Sequence, residues 1–128
     1  MNLIKKFWKN KNNYAINLKM KNLFNENILE EANTWIKSNK KVVLATVIQT
    51  WGSSPLQTGS KMIIDEKGNF SGSVSGGCIE TSVISESIEL IKNNNQFKKL
   101  EFKVSNENAW DIGLACGGEI KIYIEKIN

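Results

Sequence analysis

The sequence predicts a single α/β (α+β) domain in which one mixed β-sheet carries packed helices. Three observations lead there. The chain has 128 residues, room for one hydrophobic core and little else. Its hydrophobic periodicity alternates between helical and strand periods in the order α-β-β-β-α-β-β. No internal repeat or interdomain linker interrupts that order.

The order begins after a basic segment. Residues 1–25 hold six lysines (Lys5, Lys6, Lys9, Lys11, Lys19, Lys21) and no acid. They are expected to form a disordered extension, with the folded domain spanning 26–128. Phe7, Trp8 and Tyr14 leave membrane-surface or partner binding open for this tail, and Met20 is an alternative start.

Asn27, with Glu30 three residues on, reads as a capping pair that opens a helix to about Lys37. Ile28, Leu29, Ala32, Trp35 and Ile36 supply its apolar face, and lysines suit its negative C-terminal end. Val42 to Ile48 is apolar but for Thr46 and rich in β-branched residues, as a central strand covered on both faces requires. Trp51-Gly-Ser-Ser-Pro55 breaks that pattern and starts a polar loop to Ser60. Residues 61–64 and 69–74 flank Asp65-Glu-Lys-Gly68, a strand–turn–strand signal. Ser75-Gly-Gly-Cys78 opens a second helix to about Asn93. A half-buried strand follows at 97–104, then a loop from Ser105 to Gly118, then a strand alternating Ile120, Ile122 and Ile124.

Composition removes several classes of function. With no histidine, neither Ser-His-Asp nor Cys-His catalysis can be built from this chain. Two cysteines far apart cannot make a four-ligand structural zinc site. Beyond residue 25, eleven lysines face thirteen acids, a balance of about −2, and there is no arginine. The basicity therefore belongs to the tail, which argues against nucleic acid as a partner. No apolar run reaches membrane-spanning length, and the tail lacks a secretory h-region. A cytoplasmic protein with reduced thiols is the expectation.

The chemistry concentrates in three loops. Phe70-Ser-Gly-Ser-Val-Ser-Gly-Gly-Cys-Ile-Glu80 reads as a strand, a glycine turn and a helix start. Unpaired N–H groups and the helix dipole favour an anion there, and Ser75, Gly76 and Gly77 let a ligand approach the backbone. Cys78 at that terminus has a stabilised thiolate, or else is a small buried hydrophobe. Helical spacing turns Glu80 and Ser87 inward. Glu80 is then either a cap for first-turn N–H groups or an acceptor aimed into a pocket beside Cys78. In the third loop, Cys116 directly precedes Gly117 and Gly118. If the loops adjoin, two thiols face one cleft suited to a soft metal or sulfur-bearing ligand. In the first loop, Gly52, Ser53, Ser54, Gly59 and Lys61 offer hydroxyls, backbone donors and one cation for a phosphate or pterin edge, a solvated turn being the alternative.

Four stretches in register carry a resemblance: Leu44-Ala-Thr-Val-Ile-Gln-Thr-Trp-Gly-Ser-Ser-Pro55, Gly59-Ser-Lys-Met62, Gly72-Ser-Val-Ser-Gly-Gly-Cys-Ile-Glu80 and Ala109-Trp-Asp-Ile-Gly-Leu-Ala-Cys-Gly-Gly118. Over about residues 28–126 the chain resembles the N-terminal domain of the XdhC/CoxI family. That resemblance implies an accessory protein that binds molybdenum cofactor (molybdopterin) as cargo. It would help deliver the sulfurated form to a xanthine-dehydrogenase- or CO-dehydrogenase-type hydroxylase. It also implies a cysteine desulfurase partner, a homodimer, and a site at Cys78 and Cys116 with their glycines, the two sulfurs being candidate contacts to molybdenum or its sulfur. Leu56 stands where many relatives have arginine, and the Rossmann-like C-terminal domain of full-length relatives is absent from this chain, so a separate subunit would supply it. A maturation factor without turnover of its own is the leading expectation. A persulfide carrier or sulfurtransferase and a protein-interaction scaffold are the alternatives.

Overall fold

The apolar run that begins at Val42 needs cover on both sides, and two helices supply it. The computed structural model describes residues 27–52, 56–77, 79–103 and 118–128. The basic segment 1–25 lies outside them. Helix α1 (Ile28–Lys37) is followed by strands β1 (Val42–Trp51), β2 (Lys61–Asp65) and β3 (Phe70–Gly72). Helix α2 (Glu80–Lys92), β4 (Phe97–Lys103) and β5 (Glu119–Lys126) complete the order. The strands form one sheet, β3-β2-β1-β5-β4, with β1 in the middle.

Because successive strand residues point to opposite faces, β1 divides its side chains between two cores. Val43, Ala45 and Val47 join Met62, Ile64, Ile122 and Ile124 beneath Ile79, Val83 and Leu90 on the α2 side. Val42 and Leu44 join Ile63 beneath Ile28 and Ala32 of α1. Leu29, expected on the apolar face of α1, is instead exposed. On the α1 side, the distal parts of β4 and β5 are polar. There Lys99 and Lys121 each reach Glu101, Lys103 reaches Glu119, and the Lys121 ammonium lies over the ring of Trp51.

The expected single α/β sheet with packed helices is present, but all four described pairings are antiparallel rather than mixed. The β3–α2–β4 unit explains the difference. Its two strands do run in the same direction, yet they occupy opposite edges of the sheet, so the parallel relation never becomes a pairing. Two strand lengths also differ. β1 continues past a bulge at 47–49 as far as Trp51, because Gln49, Thr50 and Trp51 pair with Lys121, Ile120 and Glu119. β3 stops at Gly72 because the N–H groups of Val74 and Ser75 donate to the Glu80 carboxylate instead of to a strand.

The helix ends follow a common scheme at one terminus only. Asn27 makes no side-chain cap bond, so the expected capping pair with Glu30 is not formed. At the C-termini, Asn39 and Asn94 take left-handed φ values of 61° and 53°. The N–H of Lys40 reaches Trp35 O, and that of Asn95 reaches Leu90 O, closing a Schellman turn at each end.

Candidate functional site

Register places the described ends of all three chemistry-bearing loops at one end of the sheet. Val42 pairs with Asp65 at the far end, while Thr46 pairs with Lys61, Met62 with Gly72, Trp51 with Glu119, and Lys103 with Glu119. Strands β1, β3 and β4 therefore run the same way and finish at the same end. Loop 52–60 leaves from β1, loop 73–79 from β3, and residues 104–117 connect β4 to Gly118.

The first and third loops meet at a backbone contact. Gly52 and Gly118 have φ values of 73° and 90°. A Cβ on Gly52 would come within 3.2 Å of the Gly118 Cα. Both conformation and space thus require glycine at residue 52. Gly52→Ala is expected to cost about 1–3 kcal/mol, from the left-handed φ and the crowded neighbour together. Urea unfolding measures it, and wild-type stability would mean that the two strand ends part freely.

The second loop is organised by a buried carboxylate. Glu80, at the first position of α2, is only 9% exposed. Its Oε1 accepts the Ser73 hydroxyl at 2.6 Å and the Ser75 N–H at 2.9 Å, with a longer contact to the Val74 N–H at 3.3 Å. Its Oε2 accepts the Ser75 hydroxyl at 2.7 Å. Burial pushes the Glu80 carboxyl up, but the Ser73 and Ser75 hydroxyls and the Ser75 N–H together hold it below its ordinary value of 4.5. The inward turn read from helical spacing is present, and so is Ser87, whose hydroxyl donates to Val83 O at 2.7 Å. Glu80 does cap N–H groups, its own at the start of the helix and those of Val74 and Ser75 in the preceding loop. Gly76 and Gly77 are exposed with φ of 72° and 112°, and a Cβ on Gly77 would meet nothing within 4 Å.

Other expected site residues fall differently. Lys61 pairs with Thr46 on the α1 side, and its ammonium donates to Gly59 O at 2.7 Å within its own loop. Ser53, Ser54, Cys78, Cys116 and Gly117 lie outside the described residues. Among the described residues, no group of three His, Cys, Asp or Glu side chains is placed to hold a metal, and no helix is long and apolar enough to cross a membrane. Sequence reasoning missed Ser73, buried and bonded to Glu80. Strand alternation gives no signal for it: β3 ends at Gly72, and Ser71, two residues earlier, donates instead to Glu31 of α1 at 2.7 Å.

Comparison with known proteins shows the family and the fold. The sequence profile of the XdhC and CoxI family matches residues 35–102, more than half of the chain. The chain belongs to the XdhC and CoxI family. The matched span takes in the first two loops and Glu80, and ends before Cys116. Over 101 residues the chain is 32% identical to the molybdenum cofactor insertion chaperone PaoD of Escherichia coli, covering 78% of this chain and 31% of that protein. Over 94 residues it is 29% identical to a probable xanthine dehydrogenase subunit of Bacillus subtilis, covering 72% and 28%. A crystal structure of a xanthine dehydrogenase from Bacillus halodurans superposes with a TM-score of 0.65 at 28% identity, covering 77% of this chain and 30% of that one. The chain thus spans under a third of the length of these relatives.

Proposed function

We propose that this chain receives molybdenum cofactor as cargo at the three-loop end of its sheet and helps insert it into a molybdenum hydroxylase. The observation that carries this reading is the convergence of the three loops on one end, in a chain 32% identical to a molybdenum cofactor insertion chaperone. The cargo combines a phosphate, a pterin and a soft dithiolene-bound metal, and the loops offer donors of matching kinds. Ser75, Gly76 and Gly77 stand beside the start of α2, where the positive end of the helix dipole favours the phosphate. Gly52 and Gly118, which meet at the loop end of the sheet, and their sequence neighbours Ser53, Ser54 and Gly117 are assigned to the pterin. Cys78 and Cys116 supply soft sulfur for the metal end and for the sulfurated form. Lys61 and Glu80 serve the loops, Lys61 through Gly59 O and Glu80 through Ser73 and Ser75.

The role is that of a chaperone without turnover. The client is a hydroxylase of the xanthine-dehydrogenase or CO-dehydrogenase type. A cysteine desulfurase supplies sulfur, a Rossmann-like subunit of the family is a further partner, and the working form is a cytoplasmic homodimer. Copurified molybdenum and pterin test the reading. The wild-type chain is expected to carry both, and Cys78→Ala with Cys116→Ala to reduce them at least about tenfold, a loss of roughly 1.4 kcal/mol or more in binding. Undiminished cofactor on the double variant would overturn the site. A persulfide trapped on one cysteine without pterin would make the chain a sulfur carrier instead.

A further inference from the structure

We infer that Glu80 is a positioning residue that, through the hydroxyls of Ser73 and Ser75, holds the N–H groups of Gly76 and Ile79 and so presets the start of α2 for its cargo. The inference rests on the proposed cargo site and assigns Glu80 a task other than touching the ligand.

The direction of each hydrogen bond carries the argument. A hydroxyl has one proton, and in both serines it goes to the carboxylate, at 2.6 Å from Ser73 and 2.7 Å from Ser75. Each serine oxygen is then left as an acceptor. Ser73 Oγ takes the N–H of Gly76 at 2.9 Å, and Ser75 Oγ takes the N–H of Ile79 at 2.9 Å. Gly76 and Ile79 are the residues immediately before and after Gly77–Cys78. One carboxylate therefore holds the N–H groups of Gly76 and Ile79 through two relays, and its charge polarises both of them.

The geometry has two consequences for a ligand. Consecutive glycines in left-handed conformation have many alternatives in a free chain, so an unheld turn would lose that freedom on binding. Holding it beforehand lowers the cost of association. The negative charge of Glu80 is also kept from an anionic cargo, because both oxygens are turned to the loop's own hydroxyls and amides, while Gly76 and Gly77 are exposed.

A matched comparison separates positioning from mere stability. Ser73→Ala and Ser75→Ala remove the relays, and Glu80→Gln keeps the size while setting amide protons against the serine donors. Ser87→Ala is the control: it removes another buried serine bond in α2, to Val83 O, remote from the turn in sequence. The relay variants are expected to speed amide exchange at Gly76 and Ile79 by at least about tenfold. They should weaken cofactor binding by about tenfold or more. Ser87→Ala should lower the melting temperature while leaving both readouts at wild-type values. Equal exchange and equal binding in Ser73→Ala and Ser87→Ala would overturn the inference. If the wild-type chain takes up no cofactor, the cargo reading fails by itself, and the exchange comparison alone decides the clamp: unchanged exchange in Ser73→Ala sinks it.

Discussion

Glu80→Ala is expected to cost about 3–5 kcal/mol of folding stability at neutral pH, because it leaves a set of buried donors without their acceptor. The hydroxyls of Ser73 and Ser75 and the N–H of Ser75 all lose a bond at once, and both serines are buried. The loss also depends on pH in a defined direction. The folded-state carboxyl titrates below its ordinary value of 4.5, so ionised Glu80 stabilises the fold fully above that pH. As pH falls below about 4.5 and through the lower folded value, the wild-type chain loses this contribution and the variant has none to lose. Urea unfolding from pH 7 down to pH 3 should therefore show two curves that converge. A gap that stays constant across the range would mean that packing, not the charged hydrogen bonds, sets the cost.

The same residue shows where sequence reasoning stops. That Glu80 turns inward follows from helical spacing, since it lies between two apolar rows. Its partners do not follow, because Ser73 reaches it only after the chain reverses through two left-handed glycines. The central strand was legible for a related reason: an apolar run buried on both faces leaves a continuous signal. Its last three residues were not, because Gln49, Thr50 and Trp51 are held by pairing to β5 and not by burial on both faces. Asn39 and Asn94 mark both helix ends by backbone conformation, which periodicity does not register. For the site, residue types were readable and their convergence was not. The glycines, serines and acid announce anion and ligand chemistry, but the meeting of Gly52 with Gly118 is a property of strand order. Lys61 illustrates the limit from the other side. Its spacing beside Gly59 reads as a ligand cation, and the sequence does not foretell that one of its three donors goes to the Gly59 carbonyl.

Asp65→Ala is expected to cost about 2–4 kcal/mol, by untying the opposite end of the sheet. Asp65 is fully buried, and four donors converge on it. Its Oδ1 accepts the N–H groups of Lys67 and Asn69, each at 2.9 Å, closing the β2–β3 turn. Its Oδ2 accepts the Asn69 side-chain amide at 2.8 Å and the Lys40 ammonium at 3.2 Å, tying the end of α1 to that turn. The exposed side of this arrangement softens the loss, since the Lys40 side chain is 36% open and can be rehydrated. Burial raises the Asp65 carboxyl, but Asn69, Lys40 and the Lys67 N–H outweigh it and hold it below 3.8. The sign is thus that of Glu80, with the window displaced downward: its contribution is complete above about 3.8 and lost as pH falls through the folded value. Asp65 ends β2, and the Glu80 loop adjoins its beginning through the Ser73 N–H bond to Lys61 O. Four residues of strand put about 13 Å between them, far enough for the two losses to add. The double variant should therefore lose about 5–9 kcal/mol, enough to unfold a domain of ordinary stability at pH 7. Each single variant should still fold, and only the Glu80 variant should alter the turn that receives the cargo. Circular dichroism reads the first outcome, and cofactor bound per folded molecule reads the second. A double variant as stable as Glu80→Ala would show that the two ends of the sheet do not hold independently.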